Sequence, residues 1–254
     1  MAVTIALANQ KGGVGKTTTA VNLGACLNEL GKRVLIVDTD AQGNATSGIG
    51  ISKGDIQHDI YDVLVNGMGL EGVIMPTSRP HLDVVPATLQ LSGAEIELAS
   101  QIGREQRLAD ALEPVADRYD YVLVDCPPAL GILTINAFTA CDSILIPVQS
   151  EYYALEGLSQ LMKTIQLVKK HYNADLHVEG VLLTMLDART NLGNEVVTEV
   201  QKFFKDRVYT TIIPRNVRLS EAPSHGQAVI DYDRTSRGAV GYMALAKEVL
   251  AAHE

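Results

Sequence analysis

The chain contains no tryptophan, only 3 cysteines and 6 histidines, and no long apolar run. Because a membrane-spanning helix needs about 18 or more consecutive apolar residues, we predict no transmembrane segment. Cys26, Cys126 and Cys141 lack the spacing of a metal site or a disulfide framework, so we expect buried thiols in a reducing compartment. The N-terminus leads directly into an apolar stretch without the basic start of a signal peptide, and we therefore expect a cytoplasmic protein.

Short apolar runs alternate with amphipathic stretches along all 254 residues. One helical stripe is formed by Leu155, Leu158, Leu161, Met162, Ile165 and Val168. A last amphipathic helix is predicted over 239–252. The predicted strands occupy 3–8, 33–38, 82–86, 121–125, 143–148, 178–186 and 208–213. This alternation predicts an α/β fold with a single doubly wound, mostly parallel sheet and helices on both faces. Since no linker or repeat interrupts the pattern, we predict one domain over 1–254.

A glycine-rich segment, Lys11-Gly12-Gly13-Val14-Gly15-Lys16-Thr17, separates the first predicted strand from the first predicted helix. Glycines let the backbone approach a polyphosphate with its N–H groups turned inward. At this spacing Lys16 reaches the β- and γ-phosphates, and the Thr17 hydroxyl ligates magnesium. The positive end of the following helix faces the same anion. A glycine-rich turn without a ligand is the alternative, which the strand–loop–helix context disfavours. The predicted nucleotide contacts are Lys11, Gly12, Gly13, Val14, Gly15, Lys16, Thr17 and Thr18.

One position departs from the usual phosphate-loop pattern, because Gln10 stands where glycine is expected and a second lysine, Lys11, follows it. A lysine at this point is not needed to bind phosphate within one subunit. Either Lys11 is a solvated charge beside the nucleotide, or it reaches the phosphates of a nucleotide held by a facing subunit.

Aspartates follow two of the predicted strands. Asp38 and Asp40 come at the end of 33–38, and Asp125 ends 121–125. The carboxyl ends of parallel strands form the ligand-binding edge of such a sheet, where magnesium removes the cost of burying a carboxylate. We predict that Asp38 and Asp125 hold the waters of a magnesium ion bound by Thr17, and that Asp40 positions or deprotonates the attacking water. Taken singly, each aspartate also fits a helix N-cap or a turn.

The net charge of −9 argues at first sight against nucleic acid as a partner. The charge is uneven, however, because residues 163–237 carry 11 Lys and Arg against 9 Asp and Glu. Binding to nucleic acid follows the local potential, so a basic face on an acidic protein is compatible with DNA binding. Ordinary solvated helix faces explain the same composition.

Six segments carry a resemblance to one family. The segments KGGVGKTT, VDTDAQGNAT, DCPP, PVQSEYYALEGL, LDARTN and IPRNVRLSEAPSHG resemble the ParA/Soj family of partition ATPases, within the deviant Walker group that also includes MinD. The resemblance covers nearly the whole chain. It implies a magnesium-dependent ATPase that forms an ATP-dependent sandwich dimer and binds DNA without sequence preference. It also implies stimulation by a ParB/Spo0J-type partner, nucleoid association, and a role in replication initiation or sporulation as in Soj.

The resemblance also implies roles for single residues. Lys11, Lys16 and Asp40 would be catalytic, with Lys11 reaching into the nucleotide of the other subunit. Gly12 would lie where the two subunits meet, so that a side chain there blocks dimerisation. Glu151 is a further candidate for the dimer interface or the ribose.

The adenine and the DNA have their own implied contacts. Pro214 and Asn216 would lie against the adenine, and Arg189 and Arg218 match arginines that bind DNA in Soj-like proteins. For Arg218, a surface ion pair with Glu221, three residues on, is the alternative.

Other functions fit parts of the sequence. A membrane-positioning ATPase like MinD needs a basic amphipathic C-terminal helix, whereas residues 244–254 carry Lys247, Glu248 and Glu254 among alanines. An electron carrier like the nitrogenase iron protein needs interfacial cysteines, which the spacing of Cys126 and Cys141 supports poorly. A nucleotide-binding protein that never hydrolyses ATP remains a third alternative, and Asp40 argues against it.

Overall fold

An eight-stranded sheet forms the centre of the molecule. The computed structural model describes residues 2–149, 154–186 and 191–253. The strands are β1 Val3–Leu7, β2 Val34–Asp38, β3 Met75–Pro76, β4 Leu82–Val85, β5 Tyr121–Asp125, β6 Ser143–Gln149, β7 His177–Leu186 and β8 Val208–Pro214. Their order is β3-β4-β2-β5-β1-β6-β7-β8, and every neighbouring pair is parallel except β3 with β4.

Helices follow most of the strands. Those of the described residues are α1 Lys16–Glu29, α2 Asn44–Gly48, α3 Ile60–Leu64, α4 Ala94–Leu98, α5 Arg107–Leu112, α6 Ile132–Ala140, α7 Ala154–His171, α8 Asn191–Phe204, α9 Val217–Glu221, α10 Val229–Tyr232 and α11 Arg237–His253. None of them is long and apolar enough to span a bilayer.

Two apolar layers cover the sheet, one on each face. Along β2, Leu35 and Val37 join one buried cluster, while Val34 and Ile36 join the other. This alternation is what a strand buried on both faces requires. Side chains of α3, α5, α6 and α7 fill the first cluster, and those of α1, α10 and α11 fill the second. The predicted doubly wound α/β fold is confirmed.

The helix α1 lies very close to the sheet, which fixes the loop that precedes it. A Cβ atom on Gly24 would come within 3.1 Å of the Ile36 side chain, so glycine allows this close approach. The C-terminal helix α11 then covers α1, with Tyr242, Leu245 and Val249 buried. The prediction of a packed closing helix at the C-terminus is therefore correct.

The predicted strand boundaries lie within one residue of those in the structure. Among the strands of the described residues, β3 alone was not predicted, and it has two residues and includes Pro76. So short a strand shows no periodicity. The three cysteines are buried, as expected, and Met162 packs against the apolar core.

Candidate functional site

The glycine-rich segment connects β1 to α1 at the carboxyl edge of the sheet. Gly13 and Gly15 have φ angles of 74° and 94°, which side chains disfavour. Gly15 is the N-cap of α1, and no described side chain caps this helix end. The free N–H groups of the first turn and the helix dipole therefore remain available to an anion.

Hydrogen bonds to two strands, and one within the loop itself, hold this loop in shape. Asn9 Nδ2 donates to the carbonyl of Pro147 (2.7 Å), and Asn9 Oδ1 accepts from the N–H of Lys11 (3.0 Å). On the other side, Thr184 Oγ1 donates to the carbonyl of Val14 (2.8 Å). Asn9, Pro147 of β6 and Thr184 of β7 thus fix the backbone of the loop. Asn9 and Thr184 were not predicted at the site, because Pro147 and Val14, whose carbonyls they contact, are distant in the chain.

Lys16 is buried and points back along the loop. Lys16 is only 6 % exposed, and its Nζ donates to the carbonyl of Lys11 (3.2 Å). Burial lowers the pKa of Lys16, while the negative charges of Asp125 and Asp40 oppose that shift. A bound phosphate would stabilise the charged ammonium further.

The second half of the site is a pair of buried aspartates. Asp38 and Asp125 end the adjacent strands β2 and β5, are register partners, and are both fully buried. Thr39, which follows Asp38, donates from both its N–H and its hydroxyl to the carbonyl of Asp125 (3.0 and 2.7 Å). The two strand ends are therefore fastened together, with their carboxyl groups on the same edge of the sheet.

Asp38 is well provided with hydrogen-bond donors. Its Oδ2 accepts from the N–H (2.9 Å) and the hydroxyl (2.7 Å) of Thr46, and its Oδ1 accepts from the N–H of Asp40 (3.1 Å). Burial nevertheless raises the pKa of Asp38 to about 6, since these hydrogen bonds offset only part of the desolvation.

Asp125 has no such partners. Neither of its carboxylate oxygens has a hydrogen-bond partner of normal geometry among the described residues. Burial and the neighbouring Asp38 raise the pKa of Asp125 well above the usual carboxyl range, and Thr17 and Lys16 counter this only in part. A buried carboxylate without a donor is costly, and a cation would remove the cost.

The arrangement fits magnesium rather than a metal held by protein alone. In the described part of the chain, no three His, Cys, Asp or Glu side chains cluster as a metal site. Magnesium retains several waters and is commonly held by one or two carboxylates together with substrate phosphates. Asp38 and Asp125, beside Thr17 in the first turn of α1, form a donor set of that kind.

Asp40 lies one residue beyond Thr39 and is half-buried. Its Oδ1 accepts from the N–H of Gln42 (3.0 Å), and its own N–H donates to Asp38. The carboxylate of Asp40 therefore lies next to the pair Asp38 and Asp125, and one of its oxygens is held by the N–H of Gln42.

A cavity of about 170 Å³ adjoins the loop on the side away from the aspartates. The residues predicted at the adenine, Pro214 and Asn216, line it together with Gly15 and Thr18. Asn216 is also the N-cap of α9, because its Oδ1 accepts from the N–H of Arg218 (2.9 Å). A larger cavity of about 420 Å³ between α3 and α5 contains none of the predicted site residues.

The structure describes only some of the residues predicted to contact DNA or a second subunit. Glu151 and Arg189 lie outside the described residues. Arg218 is half-exposed and pairs with Glu221 (2.7 Å) and Asp233 (3.3 Å). The hydrogen bond to Glu221 raises the pKa of Arg218, so the surface ion pair considered above is present.

Comparisons with known proteins agree with this geometry. Residues 2–178 match a family described as an AAA domain. The chain is 65 % identical to the sporulation initiation inhibitor protein Soj of Bacillus subtilis, covering 97 % of this chain and 98 % of Soj. It is 55 % identical to the chromosome partitioning protein ParA of Myxococcus xanthus, covering 97 % and 87 %. Among solved structures, MinD of Pyrococcus horikoshii with Mg-ADP matches with 26 % identity, a TM-score of 0.80, and 100 % and 98 % coverage.

A glycine loop that opens a helix beside two buried aspartates, on a parallel sheet, defines a P-loop nucleotide-binding ATPase. With relatives this similar over nearly its full length, the chain belongs to the ParA/Soj family of chromosome-partitioning ATPases.

We predict that Asp125→Asn stabilises the protein in the absence of nucleotide and metal. Because the pKa of Asp125 is raised, its own contribution to stability is fully present below the ordinary carboxyl pKa and is lost as the pH rises through the folded-state value. At about pH 7.5 the variant should gain about 1–3 kcal/mol in the free energy of unfolding, and the gain should shrink toward about pH 4.5. Urea denaturation across this pH range measures it.

The matched control is Asp142→Asn, because the carboxylate of Asp142 already accepts a hydrogen bond from the N–H of Thr4 (2.8 Å). This substitution should bring no gain in stability. A variant at Asp125 that is less stable than the wild type at every pH would contradict the prediction.

Proposed function

We propose that this chain binds ATP with magnesium and hydrolyses it to ADP and phosphate, as one catalytic unit over 1–254. The observation that carries the proposal is the fully buried carboxylate of Asp125, whose oxygens have no hydrogen-bond partner of normal geometry among the described residues and which lies beside a phosphate-type loop. The similarity to Soj supports it, as do the bound ADP and magnesium of the Mycobacterium smegmatis cobyrinic acid a,c-diamide synthase structure, which is 35 % identical with a TM-score of 0.86.

Several groups would hold the triphosphate. The backbone N–H groups of the loop surround the phosphates, and the ammonium of Lys16 neutralises their charge. The hydroxyl of Thr17 and the carboxylates of Asp38 and Asp125 would hold magnesium, which supplies charge neutralisation at the phosphates when bound. The cavity beside Pro214 and Asn216 would accept the adenine. The full nucleotide-binding set is Lys11, Gly12, Gly13, Val14, Gly15, Lys16, Thr17, Thr18, Pro214 and Asn216.

Asp40 is the proposed hydrolytic residue. One carboxylate oxygen is held by the N–H of Gln42, and the backbone is held by Asp38. The second oxygen can accept a hydrogen bond from a water at the edge of the site and orient it for attack.

The dimer proposal draws support from Gly12. Its φ angle is outside the left-handed region, and a Cβ atom there would have no neighbour within 4 Å. Nothing within the described chain therefore requires glycine at this exposed position. A second subunit packed against the loop would require it, and would bring Lys11 toward the nucleotide of its partner. Glu151 is proposed to lie at the same interface.

We further propose that the ATP dimer binds DNA without sequence preference through Arg189 and Arg218. Dimerisation doubles the number of phosphate contacts, so DNA affinity should rise steeply when nucleotide joins two subunits. A ParB/Spo0J-type partner would stimulate hydrolysis and release the DNA. The protein would then be cytoplasmic and nucleoid-associated, and it is a candidate regulator of a replication initiator.

A MinD-like membrane-associated ATPase remains the alternative function. The structure of α11 weighs against it, because the apolar side chains Tyr242, Leu245 and Val249 pack against the core instead of forming a lipid-binding face. The identity with Soj also far exceeds that with the archaeal MinD.

We predict that Gly12→Val binds ATP yet remains a monomer. The valine side chain meets no atom of its own subunit, so thermal unfolding and nucleotide affinity should stay near wild-type values. Light scattering with ATP and magnesium should report one subunit for the variant and two for the wild type. A dimeric variant would contradict the proposed interface.

For Asp40→Ala, we expect ATP affinity within about threefold of wild type and hydrolysis slower by about 100-fold or more, because a positioned base typically supplies that factor. The variant should stay on DNA in the presence of ATP. The exposed Asp55 offers a control, since Asp55→Ala should leave turnover unchanged. Normal turnover in Asp40→Ala would remove this residue from the mechanism.

The double variant Arg189→Glu, Arg218→Glu should lose most of its DNA affinity at moderate salt while still forming the ATP dimer, because two phosphate contacts per subunit become repulsive. Arg33→Glu is the matched control: Arg33 is also half-exposed and also ion-paired, with Asp120 (2.8 Å), at the opposite edge of the sheet. Titration of labelled duplex DNA measures both. The double variant reverses two charges per subunit and Arg33→Glu reverses one, so an equal loss of affinity per reversed charge would show that the effect is only one of net charge.

A further inference from the structure

A buried hydroxyl that has no role in the proposed function contacts the carboxylate of Asp38. Thr46 is fully buried in α2, and its hydroxyl donates to Asp38 Oδ2 at 2.7 Å. Among the described side chains, it is the one whose hydroxyl donates to the carboxylate of Asp38. We propose that Thr46 is a positioning residue for the magnesium site, fixing Asp38 directly and Asp40 through it. This inference rests on the proposed function.

The direction of the hydrogen bond is set by a second contact. The N–H of Ala87, which follows β4, donates to the hydroxyl oxygen of Thr46 at 3.0 Å. Because that oxygen already accepts from Ala87, the single proton of the hydroxyl is left to point at Asp38. The backbone N–H of Thr46 donates to the same carboxylate oxygen at 2.9 Å. One oxygen of Asp38 is therefore held by two donors from one residue.

The position of Thr46 itself is fixed by the fold. The turn before α2 passes so close to the chain after β4 that a Cβ atom on Gly43 would lie 2.6 Å from the carbonyl oxygen of Ala87. Gly43 has a φ angle of 63°, which also favours glycine. The start of α2 thus packs against the chain that follows β4, and Thr46 contacts both that segment and Asp38.

The same arrangement reaches Asp40. With Oδ2 of Asp38 held by Thr46, Oδ1 is turned toward the N–H of Asp40 (3.1 Å). A rotation of the Asp38 carboxyl group would disturb both the side expected to hold the waters of magnesium and the backbone of the proposed hydrolytic residue. Groups that orient metal-binding carboxylates typically contribute 10- to 100-fold in metal affinity.

The test compares Thr46→Val, Thr46→Ser and the wild type. Valine keeps the shape but removes the hydroxyl, whereas serine keeps it. We expect Thr46→Val to need about 10-fold more magnesium for half-maximal binding of a fluorescent ATP analogue, and Thr46→Ser to remain within about threefold of wild type. Binding of the analogue in chelator, without magnesium, should be the same in all three proteins.

A second readout needs no nucleotide. Amide hydrogen exchange of the free protein should show faster exchange, by about 10-fold, at the N–H of Asp40 in Thr46→Val but not in Thr46→Ser. Thr46→Ala gives the same test if valine is not accommodated.

Ser47→Ala is the matched control. Ser47 is the next residue in α2, and its hydroxyl donates to the carbonyl of Gly43 (3.0 Å) and not to a site residue. It should leave both readouts unchanged. Equal behaviour of Thr46→Val and the wild type, in a protein whose nucleotide binding depends on magnesium, would overturn this inference alone. Nucleotide binding by the wild type that does not depend on magnesium would overturn the proposed function, and this inference with it.

Discussion

Two buried carboxyl groups at adjacent strand ends impose the main constraint on this molecule. Asp38 and Asp125 are register partners on β2 and β5, and neither is exposed to solvent. Two ionised carboxylates buried side by side would repel each other and lack solvation. The fold therefore favours the protonated carboxyl groups until a cation binds. Ionising these two carboxyl groups is consequently unfavourable in the free protein, and the magnesium ion that the site is proposed to bind would remove that cost.

The rest of the structure keeps this arrangement in place. Contacts to β6 and β7 hold the phosphate loop, the packing of α1 on the sheet fixes its helix end, and α11 covers α1 from outside. The loop after β2 is fastened to β5 through Thr39 and to β4 through Thr46. Nucleotide would therefore meet a largely preformed site, and its binding energy would be available for joining two subunits across the exposed loop at Gly12.

Much of this could be predicted from the sequence. The phosphate loop and the aspartates that end two strands are local patterns, and so are apolar runs. The fold was therefore predicted correctly, and Asp38 and Asp125 lie at strand ends as expected, while their roles stay predictions. The strand β3 is too short to show a pattern. Asn9 and Thr184 were missed because Pro147 and Val14, whose carbonyls they contact, lie far away in the chain. Thr46 lies only 8 residues from Asp38, but a lone threonine carries no signal of the carboxylate that it contacts. The ion pairs of Arg218 could be considered from spacing only for Glu221; Asp233 joins through the fold.

The most direct measurement of the central claim is the number of protons released when the preformed magnesium–ATP complex binds. Calorimetry at about pH 6, in buffers of different ionisation enthalpy, should show release of up to about one proton per site, because a cation favours the ionised carboxylates. The release should be smaller in Asp125→Asn. Binding by the wild type without any proton release at this pH would contradict the account, since the account requires the cation to ionise a carboxyl group that is protonated in the free protein.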